Sequence, residues 1–102
     1  MEIHVWPFIP RQKQDIIEDA RLNEKSVIFC TSEGYELFDK EKKLEGNSIS
    51  FFVKKAKSDE KPRLHFLCPD TSTKDLIVKK LSDRNFQFRE RSNMFKIDII
   101  ES

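Results

Sequence analysis

Cationic side chains set two residues apart are the groups in this chain best placed to do chemistry. Lys55 and Lys57, Lys61 and Arg63, and Arg89 and Arg91 share that spacing, and Lys96 follows them. Residues two apart on an extended strand stand on one face, so each pair would form part of a positive row. A guanidinium forks onto phosphate or carboxylate, whereas an ammonium acts as a point charge. The chemistry that suits Lys55, Lys57, Lys61, Arg63, Arg89, Arg91 and Lys96 is therefore anion binding. Either nucleic acid or an acidic protein surface would serve as partner. Lysines and arginines that only solubilise a hairpin and guard its edge would look the same, so that alternative stays open.

Other reactive residues lead less far. His65 and Cys68 have a ligand-like spacing, but strand residues three apart point to opposite faces and cannot share a metal. No neighbouring Asp or Cys partner can be identified for His4. The carboxylates of Glu18 and Asp19 diverge by about 100° on a helix, and Asp59 and Glu60 fall in a solvated turn. Gly34 and Gly46 are isolated, so no glycine-rich phosphate loop exists. No catalytic residue, metal or cofactor is assigned. A ribonuclease-like toxin without a motif is the third reading, with His65, Arg63, Arg89 and Glu90 as its candidates. Trp6 is read as core or as an exposed anchor.

The elements that would position these groups follow from periodicity. Ile3, Val5 and Phe8 suggest a first strand, and Pro10 to about Glu24 a helix with Ile16, Ile17 and Ala20 on one face. Ser26–Thr31 reads as a buried strand, Tyr35–Asp39 as a short strand, and 40–46 as a charged loop. Ser48–Lys57 and Pro62–Cys68 read as strands around the turn 58–60. Residues 70–73 offer several N-cap oxygens, with Ser72 and Asp75 resembling a capping box, and a helix runs to about Arg84. Phe86–Arg91 and Met94–Ile100 read as strands joined by Ser92 and Asn93.

Two β-hairpins result. In the first, Lys57 opposes Lys61, Lys55 opposes Arg63, Val53 opposes His65, and Phe52 pairs with Phe66. In the second, Arg89 opposes Lys96, while Phe86, Phe88, Phe95, Ile97 and Ile99 face the core. Like charges opposite one another are destabilising, which points to a surface that meets an anion.

The expected fold is a single α+β domain over residues 1–102, in the order β-α-β-β-β-β-α-β-β. Two helices pack on one face of an antiparallel sheet, and an edge strand offers a route to a homodimer. This order resembles the double-wing domain of bacteriophage middle-promoter activators and the saddle-like half of TATA-binding proteins. The resemblance rests on element order and implies a nucleic-acid or transcription-machinery partner.

Composition fits one core. Nine of the 102 residues are Phe, and each buried aromatic removes about 150–250 Å² from water. Two glycines suggest few strained turns. Residues 1–51 carry seven Lys/Arg against ten Asp/Glu, a balance of −3; residues 52–102 carry twelve against eight, a balance of +4. Cys30 and Cys68 lie in apolar runs and read as buried, reduced thiols, although one bridge between them is possible. No secretory signal or membrane span is visible, so a cytoplasmic protein is expected. Its function is expected to be non-enzymatic and regulatory. A compact protein–protein inhibitor or adaptor of viral or phage type, acting on a host machine, is the alternative.

Overall fold

Ile49, Phe52, Val53 and Ala56 recur at intervals of three, four and seven, and in the computed structural model all four are buried on one side of a helix. The structure describes residues 1–31, 35–39, 42–46 and 49–95. Its elements are β1 (Glu2–Pro7), a 3₁₀ turn (Pro10–Gln12), α1 (Lys13–Leu22), β2 (Ser26–Cys30), β3 (Tyr35–Asp39) and β4 (Lys42–Gly46). There follow α2 (Ile49–Ser58), β5 (Arg63–Cys68), α3 (Thr71–Asp83) and β6 (Arg89–Glu90).

α2 overturns the first expected hairpin. The strand propensity of Phe51, Phe52 and Val53 suggested an extended segment, but a helix buries the whole apolar stripe against the sheet. Lys55 and Lys57 therefore sit in the last turn of a helix, where positive charge complements its dipole, and neither faces a strand partner. The charged stretch expected as a loop supplies β4, which pairs antiparallel with β3.

The expected antiparallel sheet is overturned as well. The content remains α+β, but the sheet is mixed, with strand order β4-β3-β2-β5-β1-β6. β2, β5, β1 and β6 run parallel, and only β3 and β4 are antiparallel to their neighbours. The physical reason lies in Val27–Cys30 and Leu64–Cys68, runs that are buried at every residue. Strands buried on both faces need helices on both sides, which parallel crossovers supply. The helices accordingly divide: α2 and α3 pack on Ile3, Val5, Ile28, Leu64 and Phe66, while α1 packs on Val27, Phe29 and Leu67 opposite. They do not share one face.

The second expected hairpin fails among the described residues. β6 pairs parallel with β1, and the chain continues beside β1 in the same direction. Arg91 N–H donates to the Val5 carbonyl at 2.8 Å, and Phe95 N–H to the Pro7 carbonyl at 3.1 Å. Residues 96–100 of the expected return strand lie outside the described residues. The likeness to double-wing and saddle domains depended on an element order this chain does not have.

The three α-helices among the described residues end alike. Glu24, Glu60 and Asn85 have φ of 52°, 55° and 59°, and the following N–H reaches back to Ala20, Ala56 and Leu81 carbonyls at 2.9, 3.0 and 3.1 Å. This is the Schellman pattern, with non-glycine residues in the left-handed position. Scarce glycine thus moves local strain onto Glu and Asn rather than removing it. α3 starts on Asp70, whose carboxylate accepts from Thr73 N–H at 2.7 Å, so Asp70 and not Ser72 is the cap. Among the described residues no helix is long and apolar enough to cross a membrane.

Candidate anion-binding face

Register alone assembles the site. β1 lies between β5 and β6, with Glu2 opposite Arg63, His4 between His65 and Arg89, and Trp6 opposite Leu67. Paired residues on parallel strands point to the same side, so Arg63, His65, Glu2, His4, Trp6 and Arg89 share the face turned to α1. Arg91, two residues beyond Arg89, joins them, and its guanidinium carbon lies 4.8 Å from the Trp6 ring centroid. The patch is three strands wide, about 10 Å across and about 13 Å along the strands.

A floor of rings supports the charges. His4 and His65 are buried, with centroids 5.6 Å apart, and Phe95 sets its edge against both His65 and Trp6. The Trp6 indole N–H donates to His65 Nδ1 at 3.0 Å. An indole nitrogen can only donate, so His65 Nδ1 is the acceptor and the proton of the neutral ring sits on Nε2. His4 Nε2 lies 3.3 Å from Glu2 Oε2, and a carboxylate only accepts, so His4 donates there. His4 Nδ1 is sealed from solvent without a partner among the described residues. Neither histidine therefore turns a free lone pair outward.

The electrostatics agree with a cationic surface. Burial pushes His65 down from 6.5 to about 4, helped by the charges of His4, Lys25, Arg63 and Arg91. Glu2 is held below the usual carboxylate range, first by its hydrogen bond from His4. Burial opposes this, and the charges of Arg89, His4 and Arg63 act with the hydrogen bond. Arg63 Nε lies 3.5 Å from Glu2 Oε2 and keeps 63% of its side chain exposed. Arg89 is exposed and makes no ion pair among the described residues. At the α1 border, buried Asp19 holds Lys25 at 2.9 Å and accepts from Asn23 at 2.8 Å.

Of the seven cations singled out in the sequence, the structure brings together Arg63, Arg89 and Arg91. Lys55 is bound to Asp59 at 3.2 Å on α2, Lys57 is exposed on the same helix, and Lys61 Nζ donates to the Glu24 carbonyl at 3.2 Å. Lys96 lies outside the described residues. Glu90 stands opposite Val5, on the other face, and pairs with Lys74 of α3 at 3.5 Å. It is therefore separated from His65, Arg63 and Arg89. Trp6 is half-buried, neither sealed core nor free anchor.

Sequence reasoning missed His4 and Glu2. The i, i+2 spacing of Glu2 and His4 on one strand was a local signal for their contact, but the approach of His4 to His65 comes only from the pairing of β1 with β5, some 60 residues away. Among the described residues no group of three His, Cys, Asp or Glu side chains could hold a metal ion. No protein-family model matches the chain, and neither a curated protein nor a solved structure matches it.

Proposed function

We propose that this chain is a nucleic-acid-binding protein that holds phosphates on the β5-β1-β6 face through Arg63, Arg89 and Arg91. The observation that carries this reading is the placement of three arginines, from β5, β6 and the residue after β6, on one sheet face whose own strands contribute one carboxylate, Glu2. Guanidinium forks suit phosphate oxygens, and Arg91 is pre-oriented by its stack on Trp6.

The protein binds rather than cleaves. A general base needs an unprotonated nitrogen facing its substrate, yet His65 Nδ1 is occupied by Trp6 and His4 Nδ1 is sealed. His65 Nε2–H instead adds a neutral donor beside the arginines. A nucleic-acid partner and two free, buried thiols both suit a cytoplasmic setting.

The test is a salt series with duplex and single-stranded oligonucleotides. Three phosphate contacts predict a slope of log K against log salt of roughly −3 on duplex. An Arg89→Glu/Arg91→Glu variant should lose most of the affinity and flatten the slope, whereas Lys55→Glu/Lys57→Glu should leave both unchanged. Equal losses from the two variants, or no retention at low salt, would overturn the reading. Preference for an acidic polypeptide over an oligonucleotide of equal charge would move it to a protein partner.

A further inference from the structure

The opposite face carries a second site. Cys30 ends β2 and Cys68 ends β5, two strands paired in parallel. Their register places Ile28 opposite Phe66 and Phe29 opposite Leu67, so its next step sets Cys30 opposite Cys68. Both cysteines belong to the cluster under α2 and α3, and both are free. Neighbouring strands lie about 4.8 Å apart, inside the Cα separation of about 4.4–6.8 Å that a disulfide spans.

We propose that Cys30 and Cys68 form a reversible cross-strand disulfide, a thiol-oxidation site that ties the carboxyl ends of β2 and β5 together.

The surroundings set how fast it forms. Burial holds the Cys30 thiol well above its ordinary range, reinforced by a hydrogen bond with Cys68 and by the charge of that neighbour. Lys80 of α3 pulls the other way; its ammonium donates to the Tyr35 hydroxyl at 3.1 Å, and Tyr35 is the partner of Cys30 across β3. A thiol kept protonated attacks slowly, so oxidation is limited by local opening of the strand ends. Oxidised glutathione can serve as the oxidant. One protein thiolate attacks a glutathione sulfur and releases the first glutathione thiolate. The second protein thiolate attacks the mixed disulfide, closes the Sγ–Sγ bond and releases the second. The protein loses two electrons and two protons, and the small disulfide gains both as two thiols.

The full folded chain is incubated with oxidised glutathione at mildly alkaline pH, then examined by mass spectrometry without reductant. The expected product is a monomer lighter by about 2 Da, with a peptide linking residues 30 and 68 and a raised denaturation midpoint. Dithiothreitol should reverse both changes. Cys30→Ser and Cys68→Ser should each abolish the internal bridge, and a stable glutathione adduct on the remaining thiol should replace it. Persistence of both thiols in the folded chain, stable adducts on both in the wild type, or bridging between molecules would overturn the proposal. Oligonucleotide affinity should not change on oxidation, because the arginines occupy the other face. The two readings therefore fail independently.

Discussion

Under α2 and α3 the sheet presents Ile3, Val5, Leu64 and Phe66, whereas the same strands turn Glu2, His4, Arg63 and His65 towards the α1 side. One strand pair thus builds two unlike surfaces from alternate residues. The first is sealed by two helices and gains from every apolar contact. The second is covered by one helix and the Phe95 segment, which leaves the β5-β1-β6 corner to polar groups. Where a helix is missing, the strand face must satisfy its own polar atoms, and here the Trp6–His65 and His4–Glu2 hydrogen bonds beneath the arginines do so for every ring nitrogen they reach, leaving His4 Nδ1 as the exception. The contrast places the larger apolar core on one face and the exposed arginines on the other.

Truncating the sealed face should have the largest effect. Phe52 is 1% exposed and touches the Tyr35 ring edge-on at 5.4 Å. Phe52→Ala should cost about 3–5 kcal/mol, a large part of the roughly 5–15 kcal/mol that holds a domain together. Chemical denaturation measures this directly. A loss below about 1 kcal/mol would mean that α2 does not anchor the sheet, and the contrast between the faces would collapse.

The polar face should show itself through pH. His65 is neutral in the fold down to about pH 4, against 6.5 for the unfolded chain. The unfolded state therefore binds the extra proton between those values, and stability falls as pH falls through that window. The contribution is fully present above 6.5 and lost by about 4, and burial of this size corresponds to about 3 kcal/mol. His65→Gln keeps an acceptor for Trp6 but cannot titrate, so its denaturation midpoint should be flatter between pH 4 and 6.5. An unchanged pH dependence would show that His65 is not the group responsible.

Much of this could be read from residue patterns, and the failures have physical causes. The helices from 13 to 22 and from 71 to 83 announce themselves by apolar spacing and, for the latter, by its cap. α2 was legible too: Ile49, Phe52, Val53 and Ala56 form a helical stripe, but the aromatic and β-branched run Phe51–Val53 favours a strand when judged by propensity alone. The apolar run Val27–Cys30, and Leu64–Cys68 with His65 as its one polar residue, indicate parallel strands covered on both sides. The alternation expected of an antiparallel sheet with one solvated face is missing there. The arginines at 63, 89 and 91 were visible as candidate anion ligands, but their common location depends on β1 lying between β5 and β6. That is a long-range property, as is the partnership of His4 with His65.

The smallest effect probes the hydrogen bond that occupies His65 Nδ1 on the polar face. Trp6→Phe keeps a ring beneath Arg91 and removes only the donor to His65 Nδ1. A buried acceptor left without its partner should cost about 1–2 kcal/mol. The neutral imidazole also loses the bond that favoured it, so His65 should titrate at higher pH and the window of lost stability should narrow from below. Histidine proton resonances followed through the titration report this shift separately from stability. A His65 that titrates identically with and without the indole donor would not be held in one tautomer. Its Nδ1 would then be free to accept a proton, and the polar face would regain the general base that the present geometry denies it.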